Sequence, residues 1–133
     1  DIAIDHSEFA HLDPALIEQV VQRMRAGGLT ATVSSIHING WIGDHNKWTG
    51  ALWAVQGLLG RDLAQELDRW VYVGDSANDE GVFAQPLQTV GVANLVPLLP
   101  RLRHKPRYLA PTERGAGFAA VVEALMTARE LGA

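Results

Sequence analysis

Val71-Tyr72-Val73-Gly74-Asp75-Ser76-Ala77-Asn78-Asp79 is the stretch on which the reading of this chain turns. Its first three residues are apolar or aromatic without alternation, as in strands buried on both faces of a parallel sheet. Gly74 allows a sharp turn and a close backbone approach to a ligand. Asp75 and Asp79 then place two carboxylates in one strand-end loop, with the amide of Asn78 between them. In open α/β sheets, ligands bind beyond the carboxyl ends of the strands. A hard cation such as Mg²⁺ is held by one or two carboxylates, completed by water and phosphate oxygens. Asp and Asn are also ordinary turn formers. The position directly after an apolar strand favours a site over a plain turn.

Outward from this loop, strands and helices alternate. Downstream, a short helix is expected over Asp79 to Ala84, and a strand from Gln88 to Ala93. An irregular helix follows over Leu95 to Arg103, because Pro97 and Pro100 interrupt it. Arg107 to Leu109 reads as a last short strand. A closing helix is expected over Glu113 to Leu131, with Phe118, Val121, Val122, Leu125 and Met126 as its apolar stripe. Upstream, Asp1 to Asp5 alternates as a strand. Asp13-Pro14 starts a helix that Gly27-Gly28 ends. Leu29 to Ile38 reads as one strand, and Asn46 to Leu59 as a helix. Such alternation means an α/β fold with a mostly parallel, Rossmann-like sheet.

Composition narrows the function. The 133 residues carry 11 Lys+Arg and 15 Asp+Glu, a net charge of −4. That balance argues against a general nucleic-acid binder. The basic run Arg101-Leu102-Arg103-His104-Lys105-Pro106-Arg107 lacks interleaved aromatics and reads as a solvated loop. No apolar run reaches membrane length, so no membrane partner is expected. There is no cysteine, which excludes disulfides and thiol chemistry and fits a cytoplasmic location. The five histidines show no zinc-like spacing. The chain opens on Asp1 with no signal-like segment, and it is expected to be a piece of a longer protein.

Lys47 stands where a helix begins, against the helix dipole. A cation there is accounted for if the site holds anions, since an ammonium can balance a phosphate and a neighbouring carboxylate. With Gly74-Asp75-Ser76-Ala77-Asn78-Asp79 and Val90-Gly91-Val92-Ala93-Asn94, it resembles the haloacid dehalogenase superfamily. The nearest look is to its Cof-type and sucrose-phosphatase-like members, which carry a larger α/β cap. Tyr108 to Phe118 resembles that group's final strand, loop and helix.

The resemblance implies a Mg²⁺-dependent phosphatase acting on a small phosphomonoester, such as a sugar phosphate, through an aspartyl-phosphate. It assigns Asp75 and Asp79 to the metal. It assigns Lys47 and Asn78 to catalysis, and Lys47, Asn78 and Ser76 to phosphate or substrate binding. Residues 1–39 would be the end of the cap, and 40–133 the C-terminal half of the core. The expected partners are a small phosphorylated substrate and either the N-terminal remainder of the same protein or a second copy.

One element of the family pattern is absent. No two aspartates here are two residues apart, so the Asp-x-Asp nucleophile motif does not occur. Asp5 ends a strand, but Ser7 stands where the second aspartate belongs. A compressed core built on Asp5 and Ser35 would leave only a short turn before Lys47 and no general acid. The nucleophile is therefore expected outside this sequence. The alternative is a non-catalytic binding or regulatory module that keeps the metal and phosphate loop.

Overall fold

The structure, a computed structural model, describes residues 1–132. The chain is α/β and divides into two compact units, Asp1–Asn46 and Lys47–Ala133.

The first unit is an antiparallel sheet under one helix. Strands β1 (Ile2–Asp5), β2 (Thr30–Val33) and β3 (His37–Trp41) pair in the order β1-β3-β2, and helix α1 spans Pro14–Ala26. Asp13 caps α1, its carboxylate accepting from Ala15 N at 2.7 Å and Leu16 N at 3.1 Å. Val21 and Met24 of α1 pack on Ala31 and Ile38 of the sheet. Where one strand is expected over Leu29 to Ile38, the chain forms a hairpin instead. Ser34 N donates to His37 O at 2.8 Å and reverses the direction. The paired serines Ser34-Ser35 were the turn signal hidden in a run rich in β-branched residues.

The expected boundary after residue 39 also moves. Gly40 lies inside β3, opposite both Ile2 and Ala31. A side chain there would press on Met24 Sδ at 2.9 Å, so Gly40 is held as part of this core. The first unit accordingly runs on through Asn46.

Asp5, the decoy nucleophile, is an organiser of its own loop. Its carboxylate accepts from the backbone N–H groups of Ser7, Glu8, Phe9 and Ala10 at 2.7–3.0 Å. Those bonds, the one from Ala10 foremost, lower its pKa to about 2. A carboxylate so engaged has few lone pairs left for attack on phosphorus.

The second unit holds the parallel sheet. Strands β4 (Val71–Gly74), β5 (Gln88–Gly91) and β6 (Tyr108–Leu109) lie side by side in that order. Helices α2 (Lys47–Leu59), α3 (Glu80–Phe83) and α4 (Arg114–Glu130) precede, separate and follow these strands, with 3₁₀ turns between. The segment with two prolines is a 3₁₀ helix over Ala93–Arg101, as proline geometry requires.

Alternation along β4 feeds two cores. Tyr72 packs with Phe83, Leu95 and Leu102 on one face. Val73 packs with Val90, Val92, Ala110 and Val121 on the other. A strand apolar on both faces is the signature of a buried parallel sheet.

Helix α4 turns differently from its expected stripe. Phe118, Val122, Leu125 and Met126 are 41–54% exposed. Of the expected stripe Val121 does face inward, beside Gly117. A Cβ on Gly117 would collide with the Thr112 carbonyl and approach Val92 Cγ1 to 2.8 Å, so glycine sets how closely the helix approaches. Among the described residues no helix is long and apolar enough to cross a membrane.

Candidate functional site

The site forms at the carboxyl edge of the parallel sheet, where the strand-end loops are bonded to one another. Val92 N donates to Gly74 O at 3.0 Å, and Ala110 N to Gly91 O at 2.8 Å. In the middle lies Asp79, 1% exposed. The turn Ala77–Asp79 brings its carboxylate back over its own loop. Oδ2 accepts from Asp75 N at 2.8 Å and from Ser76 N at 3.0 Å. Oδ1 accepts from Tyr72 OH at 2.7 Å and forms an ion pair with Lys47 Nζ. Gly74 is required beneath it, since a Cβ there would stand 2.8 Å from Asp79 Cγ and from Phe83 Cζ.

The electrostatics follow from these contacts. Burial pushes the Asp79 carboxyl up. The hydrogen bonds from Lys47, Tyr72 and Ser76 N–H outweigh burial and hold it below the ordinary carboxylate range. Burial, followed by the bond to Asp79 and the charges of Asp79 and Asp75, pushes the Tyr72 phenol well above its usual value.

The two acids of the loop therefore differ in role. Asp79 was expected as a second carboxylate of the metal site, direct or through water. Its oxygens face five protein donors, Lys47 Nζ, Tyr72 OH, Asp75 N, Ser76 N and, at 3.4 Å, Ser76 Oγ, and it acts as the keystone of the loop. Asp75 is exposed and faces a cavity of about 390 Å³. Lys47, Tyr72, Asp79 and Arg114 share the walls of that cavity.

Ser76 and Asn78, expected at the phosphate, are not among its walls. Ser76 is buried, and its hydroxyl donates to Asn78 Oδ1 at 2.5 Å, so the two brace each other. The structure thus brings Lys47, Asp75 and Asp79 together and sets Ser76 and Asn78 behind them.

Sequence reasoning missed three residues as members of the site. Tyr72 was read as a strand residue, yet its phenol reaches Asp79. Asn94 Nδ2 donates to Asp75 O at 3.3 Å, while its Oδ1 accepts from Arg114 N at 3.0 Å. Arg114 in turn stands beside the cavity. The polar tip of Tyr72 between two valines was the one local signal for the first. Arg114 carried the same signal as Lys47, a cation at a helix start, and Asn94 ends the Val90–Asn94 run, but the bonds that join them to Asp75 and to each other span 19 and 20 residues.

Among the described residues, no three His, Cys, Asp or Glu side chains gather as a cation cage. What this chain offers a metal is the exposed carboxylate of Asp75. No imidazole or thiolate stands among the cavity walls. That donor set fits Mg²⁺, which keeps several waters and takes phosphate oxygens as ligands.

No family model matches the chain, and no curated protein matches it. It is similar to a solved structure, that of Thermoplasma acidophilum 0175. The identity is 18% and the TM-score 0.55, over 85% of this chain and 47% of that one. The chain thus spans about half the length of that protein. At this identity the likeness shows the fold alone.

Proposed function

We propose that the second unit is the metal- and phosphate-binding part of a Mg²⁺-dependent phosphatase of the haloacid dehalogenase type. The substrate would be a small phosphomonoester, and the aspartate nucleophile would come from sequence outside these 133 residues. The first unit would be the end of its cap. The observation that carries this reading is one cavity walled by an exposed Asp75, a Lys47 fixed by buried Asp79, and the end of a parallel strand. A cytoplasmic location and a partner in the remainder of the same protein belong to the same reading.

Each residue then has a defined task. Lys47 keeps ammonium protons free for a phosphoryl oxygen while Asp79 fixes its position. Electrostatic positioning of this kind is the main lever in phosphoryl transfer. Tyr72 donates to Asp79 and so keeps that acid ionised and pointed at Lys47. Asp75 would hold Mg²⁺, and the ion when bound would neutralise charge on the phosphoryl oxygens. Asn94 fixes the backbone of Asp75.

Calorimetric titration tests the reading on the chain itself. Inorganic phosphate should bind in the presence of MgCl₂ and much more weakly without it. Lys47→Ala should weaken phosphate binding about tenfold, the effect of one charge-assisted contact. Asp75→Asn should abolish the dependence on Mg²⁺. Phosphate binding indifferent to both substitutions would remove this cavity from the function.

A further inference from the structure

Arg114 is placed at some cost. It is the only non-glycine among the described residues with positive φ, at 51°. That region is disfavoured for a side chain such as arginine. It opens the 17-residue helix α4, where a cation opposes the helix dipole. Among the described residues no carboxylate lies within ion-pair distance of its guanidinium. Its backbone is nonetheless fixed, because Arg114 N donates to the Asn94 side chain that also holds Asp75. That anchor sets Arg114 among the walls of the cavity that Lys47 and Asp75 share.

The charged walls of the cavity, Lys47, Arg114, Asp75 and Asp79, sum to zero, so a divalent cation bound there would leave an excess of positive charge for an anionic ligand. Lys47 is balanced by Asp79, and Asp75 is the acid that would take the cation. Among the described residues the guanidinium of Arg114 has no carboxylate partner. A transferring phosphoryl group already has Lys47 and the metal, so the guanidinium is left for a different part of the substrate. Its planar fork suits a carboxylate or a second phosphate.

We propose that Arg114 is a specificity-determining residue that selects phosphomonoesters whose leaving group carries a second anionic charge. This rests on the phosphatase reading of the cavity.

The test compares two probes that differ in one group. 3-Phosphoglycerate carries a carboxylate where glycerol 3-phosphate carries a hydroxymethyl group. Binding of each to the full chain is measured in MgCl₂. The wild type should prefer 3-phosphoglycerate about tenfold, the worth of a charge-assisted bidentate contact. In Arg114→Gly the ratio should fall to about one. Glycine adopts positive φ freely, so that variant keeps the fold and loses only the side chain. Arg114→Lys should retain part of the preference. A wild type that binds both probes equally overturns the role of Arg114 and leaves the phosphate site standing. Binding of neither probe overturns both readings. A preference that survives in Arg114→Gly also overturns this assignment.

Discussion

Asp79→Ala should destabilise the second unit by about 3 kcal/mol, as loss of one partner of a buried, hydrogen-bonded charge does. The substitution leaves the N–H groups of Asp75 and Ser76 and the phenol of Tyr72 without their acceptor. Asp79→Asn keeps the shape and part of the bonding, so it should cost distinctly less. Urea unfolding monitored by circular dichroism separates the two. An Asp79→Ala midpoint equal to that of the wild type would show that the loop does not depend on this carboxylate.

The same residue sets the acid limit of the unit. The pKa of Asp79 in the folded state lies below its ordinary value of 3.8. Its contribution is therefore fully present above that value and is lost as pH falls through the lower, folded-state pKa. In Asp79→Asn that acid limb should flatten.

In a protein that joins this chain to a strand ending in Asp-x-Asp, Asp75→Asn should lower phosphatase turnover at least about a hundredfold. Removal of one group that stabilises transition-state charge commonly costs that much. The fold should survive, because Asp75 is exposed and its carboxylate makes one long contact, from Asn94 Nδ2 at 3.5 Å, that an asparagine oxygen can also accept. The isolated chain should release p-nitrophenol from p-nitrophenyl phosphate no faster than MgCl₂ buffer, since covalent catalysis needs a nucleophile it does not carry. Steady-state rates with equal amounts of each protein decide the matter. Near-normal turnover of Asp75→Asn in the joined protein would take Asp75 out of the metal site.

The parallel sheet was legible because its cause is local. Val71-Tyr72-Val73 is an apolar run whose Tyr72 and Val73 pack on opposite faces while Val71 stays exposed, and Gly74 must then make room for an acid. Lys47 was legible because a cation at a helix start calls for an anion. The difference between Asp75 and Asp79 was not, because two aspartates in one loop look alike until one is seen to curl over its own backbone. Asn94 and Arg114 join the site through a bond between residues 20 apart in sequence. The stripe of α4 misled for a related reason. Of its five apolar residues only Val121 packs inward, because the approach of Gly117 to Val92 decides which side of the helix faces the sheet.

Tyr72 makes the site visible to light. The chain has two tyrosines, Tyr72 and Tyr108. Tyrosinate absorbs further into the near ultraviolet than tyrosine does, and the phenol of Tyr72 is held in its protonated form by burial and by its bond to Asp79. Its raised folded-state pKa gives stability that is complete below the ordinary value of 10.0 and is lost as pH rises beyond it. In a fast jump to alkaline pH, the absorbance of Tyr72 should therefore appear at the rate at which its loop opens. The keystone carboxylate thus supplies, with no attached dye, a clock for the opening of the cavity it supports.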